Sequence, residues 1–449
     1  MVSSLESRNP SNGEKLGEVV VTHSDTIANI TKSSKKAQKK WAAEPLDERI
    51  RIIKTAWSAV ETSIPGLAQL LSQEMGKDIR RSTGEVQGTI FGGPWIAESA
   101  GKALQPGRQG RTLLEYRPLG VVGVISPWNY PLAMANNLMV PALVAGNSVI
   151  WKPSEETPLI AQAFHDIISK QLPDNLLQII HGDGEQGRQL VESDIQLVAF
   201  TGSLAVGKKI MERASTQLTR LVMELGGNDP MIVMADADLP AAARFAVASS
   251  FENSGQMCTA TERIYVDSAV ADRFEEMVVS LAGQYRVGTW DMEGVNYGPL
   301  INEKQHRRVV EHILDAVDKG AELLLGTTRQ EPPYISPTVL GGMTPKMKIE
   351  QEETFGPLVC MSRFTEIEEA IVRANDSPYG LGAVVFGSQG ADYVARRLEA
   401  GMIGINQGVG GEGDSPWVGA KQSGFGFHGS PEGHRQFAQV CVISNEQRI

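Results

Sequence analysis

Cysteine is scarce, with 3 in 449 residues. Cys258, Cys360 and Cys441 lie far apart, so a disulfide framework is excluded and no CxxC pair is available for zinc or redox work. The 7 histidines are scattered without an HxxxH pair, and no metal site is expected. No run of basic residues exceeds two, and 42 Lys+Arg against 53 Asp+Glu leave a net charge of −11. That balance argues against nucleic acid and against an anionic membrane surface as partners. Apolar runs such as Val121–Ile125 are far too short to cross a bilayer. The opening residues, Met1 to Glu6, have neither the charged nor the apolar region of a secretory leader, so a cytoplasmic protein is expected. Repeats of fixed period and low-complexity tracts are also missing.

What is present is ordinary globular composition, 41% hydrophobic and 21% charged, with 46 glycines spread along the chain. The length suits two or three domains. Ile50, Ile53, Trp57, Val60 and Ile64 recur at helical spacing, and the first hundred residues read as mostly helical, with Asp47 as an N-cap. From residue 113 the pattern changes. Strand-like "LLEYRPLG" and "VVGVIS" (121–126), a helical stretch Ala133–Ala145 and "SVIWK" (148–152) form a βαβ unit and predict a parallel sheet. Strand-like runs continue at 177–182, 197–202, 221–225 and 231–235. A second α/β series begins after Gly227. The tail "QVCVIS" (439–444) reads as an isolated strand; together with "TLLEYRP" it is expected to leave the body and pair with another subunit.

Several residues sit where chemistry is often done, each with a plain alternative. The one GxGxxG match, Gly408 to Gly413, is followed by Asp-Ser-Pro instead of a helix and reads as a loop. Gly202-Ser203 joins a strand to a helix, where backbone N–H groups can hold a pyrophosphate or simply cap the helix. Asn129, in Pro127-Trp128-Asn129-Tyr130-Pro131, ends a strand at the place where open α/β sheets bind ligands, though it also suits a turn. Lys152 and Glu155 can meet a ribose or form a solvated pair. Glu224 ends a strand before Gly226-Gly227, where a carboxyl can act as a base. Cys258 is a nucleophile pattern if a base is near and core packing if not.

Together, PWNYP, KPSE, FTGS, ELGG, GQMC with Arg263 five residues on, and EETFGP resemble the aldehyde dehydrogenase superfamily in order and spacing, over essentially the whole chain. The resemblance implies an α/β aldehyde dehydrogenase-like fold: a Rossmann-like cofactor domain (1–102 and 119–226), a second α/β catalytic domain (227–434) and a small bridging β oligomerisation element (103–118 and 435–449). It implies Cys258 as nucleophile, Glu224 as general base and Asn129, with the Cys258 N–H, as oxyanion donors. Pro127, Trp128, Lys152, Ser154, Glu155, Gly202, Ser203, Leu225, Glu353 and Phe355 would hold the cofactor. A carboxylate at Glu155 favours NAD, with NADP as the lesser choice. A small-molecule aldehyde and a homodimer or homotetramer are the implied partners. Glu224 argues for water over coenzyme A as acyl acceptor. The presence of Cys258, Glu224 and Asn129 argues against an idle binding relative. The run Pro416-Trp417-Val418-Gly419 departs from the aromatic-Gly-Gly pattern of many relatives at the substrate entrance. Relatives that oxidise succinate semialdehyde carry two arginines; the matching residues here are Asn137 and Glu252. A neutral or cationic aldehyde is therefore expected, with Glu252 repelling a carboxylated one, and a carboxylated semialdehyde is the alternative.

Overall fold

The computed structural model describes residues 3–444. Two parallel sheets organise the chain. The first has six strands in the order Gly424–Phe425, Arg220–Glu224, Leu197–Thr201, Val121–Ile125, Ser148–Lys152 and Leu177–Ile179. Four of its five neighbouring pairs run parallel; only Gly424–Phe425 with Arg220–Glu224 is antiparallel. Val121–Ile125 and Ser148–Lys152 are buried along their whole length, which is why they read as continuous apolar runs instead of alternating ones. From Val121–Ile125 the strands proceed one way to Ser148–Lys152 and Leu177–Ile179, and then resume on the other side with Leu197–Thr201. The carboxyl ends of Val121–Ile125 and Leu197–Thr201 therefore flank a topological switch point, where α/β sheets bind ligands.

The second sheet has seven strands, ordered Glu322–Leu325, Thr338–Gly341, Leu358–Phe364, Thr261–Asp267, Asp229–Val233, Gly382–Phe386 and Met402–Ile405. All its pairs are parallel except Glu322–Leu325 with Thr338–Gly341. Helices pack against each sheet: Ser24–Trp41 and Pro131–Val144 on the first, Leu239–Phe251 and Ile367–Asn375 on the second. The fold is thus mixed α/β with parallel sheets, as expected.

Four details differ from the sequence reading. Residues Ser4–Arg8 and Lys15–Val20 form an antiparallel hairpin ahead of the helices. Their polar, half-exposed sequence has no apolar period to announce a strand. Asp47 is not an N-cap: the helix Leu46–Ser58 starts after Pro45, and Asp47 sits in its first turn, where its charge still favours the helix dipole. The tail strand Ala438–Ser444 is not isolated. It pairs along its length with Thr112–Pro118 of the same chain, from Ala438 opposite Pro118 to Ser444 opposite Thr112, with Gly107–Gln109 completing a three-stranded sheet. Residues 445–449, expected in that element, lie outside the described residues. Finally, Gly424–Phe425, placed by sequence in the second unit, joins the first sheet instead, with Gly424 opposite Glu224. No helix among the described residues is long and apolar enough to cross a membrane.

Candidate active site

A cavity of about 1000 Å³ lies between the two sheets. Pro127, Trp128, Asn129, Ser154, Glu155, Gly202, Ser203, Glu224, Leu225, Cys258, Glu353 and Phe355 all line it, as does Glu252. Residues up to 228 positions apart are thus brought to one space: Asn129, Ser154, Gly202 and Leu225 follow the carboxyl ends of first-sheet strands, while Cys258, Glu353 and Phe355 lie in turns ahead of second-sheet strands. Lys152 lies buried behind the wall, its Nζ donating to the Pro153 carbonyl at 3.0 Å and standing 3.6 Å from Glu155. Asn137 does not line the cavity; its helix, Pro131–Val144, presents Met134 there instead.

Cys258 follows a short 3-10 turn, Glu252–Gly255, at the end of the helix Leu239–Phe251. Asn253, Ser254 and Gly255 all have left-handed backbone, with φ of 50°, 61° and 68°. For two non-glycine residues that is strain, and only extensive support holds it. Gln256 supplies much of it. Its buried side chain donates to the Asn253 carbonyl at 3.2 Å and accepts from the Ile301 N–H at 2.9 Å. Gly255 has no room for a Cβ, which would lie 2.1 Å from the Gly356 carbonyl oxygen. Burial is the main cause that pushes the Cys258 thiol well above its usual range, with the Asp229, Glu224 and Glu353 carboxyls adding to it.

Asn129 is buried, and its Nδ2 donates to the Gln256 carbonyl at 3.0 Å. That bond fixes which way the amide faces and leaves its second N–H hydrogen free. The Asn129 carbonyl accepts from Lys77 Nζ at 2.8 Å. Lys77 in turn pairs with Glu85, both side chains wholly buried, and Glu85 accepts from the Leu132 N–H at 3.0 Å at the start of the following helix. A buried ion pair thus braces the Asn129 turn. Lys77 and Glu85 look like surface charges in sequence, and nothing in their spacing signals this contact.

Glu224 ends the strand Arg220–Glu224 and bonds through Oε1 to His428 Nδ1. The turn after it is held by Ser423, whose carbonyl accepts from Leu225 N–H at 2.9 Å and whose hydroxyl donates to the Gly226 carbonyl at 2.7 Å. Glu353 accepts from the Gly227 N–H at 3.1 Å. Burial raises the Glu353 carboxyl, and it raises Glu262 likewise, with the Glu353 charge adding to the latter. Glu262 accepts from the Thr354 and Phe355 N–H groups, at 2.9 and 2.7 Å, and so shapes the left-handed turn at Phe355 (φ 56°). Phe355 meets Trp128 edge to face, with ring centroids 5.6 Å apart.

Glu252 corrects an expectation. It is not an uncompensated acid: Arg81 Nε and Nη2 donate to its two carboxylate oxygens, both at 2.8 Å, and Tyr130 donates to it at 3.2 Å. Arg81 comes from the helix Ile79–Ala103, 171 residues earlier. The repulsion argued against a carboxylated aldehyde is therefore offset by a guanidinium in bidentate contact. Arg263 is not the partner; it is buried among backbone carbonyls of Asn228, Arg373 and Ala374.

At the switch point, Ser203 caps the helix Leu204–Ala214 with its hydroxyl uncommitted and exposed. Beside it Thr201 Oγ1 is buried without any hydrogen-bond partner. A helix N-terminus, a free serine hydroxyl and an unpaired buried hydroxyl on one cavity wall fit a phosphate-bearing ligand.

The aldehyde dehydrogenase family profile matches residues 2–443. The chain belongs to the aldehyde dehydrogenase family. It is 34% identical to the succinate-semialdehyde dehydrogenase [NADP(+)] GabD of Escherichia coli (strain K12), over 97% of this chain and 93% of that protein. It is 34% identical to the glutarate-semialdehyde dehydrogenase of Pseudomonas putida, over 97% and 93%. Among solved structures, an aldehyde dehydrogenase from Brucella melitensis biovar abortus 2308 superposes with a TM-score of 0.95, at 35% identity over 99% of this chain and 95% of the other. The protein is an NAD(P)-dependent enzyme that oxidises an aldehyde to a carboxylic acid.

Proposed function

We propose that Cys258, Asn129 and Glu224 carry the reaction, and that the substrate is an uncharged aldehyde. The observation that supports the assignment is the convergence of the three on one cavity, Asn129 and Glu224 from two strand ends of the first sheet and Cys258 from the turn after the helix Leu239–Phe251. The Cys258 thiol gives up its proton to solvent, its sulfur adds to the aldehyde carbon, and the carbonyl electrons move onto oxygen. The free N–H of the Asn129 amide and the Cys258 backbone N–H receive that oxyanion. NAD(P), when bound along Gly202, Ser203 and Thr201 with Glu353 and Phe355 at the other end, supplies the hydride acceptor. Re-formation of the C=O bond breaks the C–H bond of that carbon, sends the hydrogen out as hydride and leaves a thioester on Cys258. Glu224 takes a proton from water, whose oxygen attacks the thioester carbon; the C–S bond breaks and the acid departs.

The substrate reading rests on the cavity wall near Cys258: Tyr130, Met134, Met257 and Trp417, with Glu252 already neutralised by Arg81. Apolar and aromatic walls suit a body without charge. A second reading, a carboxylated semialdehyde, is favoured by Arg81, whose guanidinium can exchange Glu252 for a substrate carboxylate, and by the names of the relatives. kcat/KM for a neutral aldehyde, an aminoaldehyde and succinate semialdehyde of similar length separates them. The neutral aldehyde is expected to lead, and Glu252→Gln to leave that lead intact. Preference for succinate semialdehyde, lost in Arg81→Gln, would establish the second reading instead.

NAD is proposed as the preferred cofactor. Glu155 is half-exposed on the cavity wall, where a carboxylate accepts from ribose hydroxyls and repels a 2′-phosphate. Lys152 stands 3.6 Å away and offsets part of that charge. A preference for NAD of about tenfold in kcat/KM is expected, shrinking in Glu155→Gln. A preference for NADP in the wild type would overturn it.

The three-stranded sheet exposes Val440 and Val442 on its last strand. Apolar side chains in a row on an edge strand suit self-association, and a homodimer or homotetramer is proposed. Light scattering at micromolar concentration is expected to give a multiple of 48.6 kDa, and a monomer mass would refute it.

A further inference from the structure

We infer that His428 is a positioning residue for the general base. Its Nδ1–H donates to Glu224 Oε1, holds the carboxylate in one orientation and leaves Oε2 to take the proton from the hydrolytic water. This rests on the reading of Glu224 as base. The contact joins residues 204 positions apart, and both side chains are almost wholly buried, at 11% and 5% exposure. Its backbone is built for the purpose. Gly424 pairs with Glu224 across the antiparallel edge of the first sheet. Gly426 and Gly429 then turn the chain with φ of 76° and 70°, and a Cβ on Gly429 would lie 2.7 Å from the Ser415 carbonyl oxygen. His428 is thereby brought beside the end of the strand that carries Glu224. Its ring stacks on Trp417, with centroids 6.4 Å apart and planes at 19°, and its carbonyl accepts from the Trp417 N–H at 2.9 Å. Trp417 lines the cavity, so the imidazole is clamped behind the wall and the carboxylate reaches through it.

The chemistry needs such a clamp. A glutamate has three side-chain torsions, and each wrong rotamer takes the base away from the water. A carboxylate acceptor selects the imidazole tautomer with hydrogen on Nδ1. With Oε1 occupied, Oε2 is the oxygen left for proton transfer: a water O–H bond breaks, the proton goes to Oε2, and the water oxygen bonds to the thioester carbon. The neighbouring imidazole, His434, is engaged elsewhere, with Nε2 at 3.1 Å from Asp414. Nothing in the sequence marks His428, which belongs to none of the motifs that carry the family resemblance.

The test compares His428→Ala, His428→Gln and His428→Asn with Glu224→Gln by rapid-mixing and steady-state kinetics. The asparagine amide places an N–H close to where Nδ1–H stood; the glutamine amide carries it one bond too far. Alanine and glutamine variants should keep the initial burst of NAD(P)H and the KM for cofactor, while steady-state turnover falls about 10- to 100-fold. Asparagine should recover most of that loss. The inference is overturned if alanine and glutamine stay within about twofold of wild type, if asparagine is no better than glutamine, or if burst and cofactor affinity fall together with turnover, as a merely structural loss would produce. The glutamine and asparagine variants decide the matter if alanine does not fold. An undiminished steady state in Glu224→Gln would instead remove Glu224 as base, a failure distinct from that of His428.

Discussion

Replacing Cys258 by alanine is expected to lower NAD(P)H formation at least about a thousandfold while leaving cofactor affinity nearly unchanged. The sulfur forms the covalent bond, and no other cysteine among the described residues lines the cavity. Cys441→Ser is expected to be silent, since Cys441 sits on the half-exposed tail strand. The same thiol has a pH signature. Burial and the carboxyls of Asp229, Glu224 and Glu353 hold it protonated well above the usual thiol range. Raising the pH therefore increases the thiolate fraction, and inactivation of the free enzyme by iodoacetamide should accelerate steadily from neutral into alkaline pH. A rate that is already flat at neutral pH would show a thiolate formed in the resting enzyme. Residual turnover of more than a few per cent in Cys258→Ala would exclude the covalent route.

Glu224→Gln is expected to split the reaction at its midpoint. Acylation and hydride release need the Cys258 adduct, and hydrolysis needs a base for water. One equivalent of NAD(P)H per active site should appear quickly, followed by a steady state slower by about 10²- to 10⁴-fold. Intact mass should then show the acylated chain. Gln keeps the size of the side chain and its contact with His428, so folding is not at issue. A steady-state rate equal to wild type would show that water is activated by another group.

Much of this was legible before any coordinates. The strands at the switch point are short, β-branched and wholly buried, and such runs declare themselves. Motif residues at strand ends, Asn129, Gly202 and Glu224, and Cys258 after the helix Leu239–Phe251, carry the family resemblance because ligand chemistry restricts them one by one. The hairpin Ser4–Arg8 with Lys15–Val20 was not legible, because its few apolar residues, Leu5, Leu16, Val19 and Val20, fall on both faces without a regular alternation.

The sequence by itself determined the class of fold, the family and many of the residues that line the cavity, Lys152 and Asn137 being the exceptions among those it named. Those follow from local patterns: burial of consecutive apolar residues, glycines at strand-to-helix turns, and a nucleophile and a base in recognisable settings. Only the tertiary structure decided which charges are free. Glu252 stands in sequence as a lone acid where relatives have a cation, yet Arg81 from a distant helix neutralises it. Lys77 and Glu85 look like solvent charges, yet their pair is buried beneath the Asn129 turn. His428 reaches Glu224 only because a two-residue strand crosses back to the edge of the first sheet. Ion pairs and hydrogen bonds between segments act over a few ångströms in space and leave no periodicity along the chain, so composition and spacing are silent about them until the chain is folded.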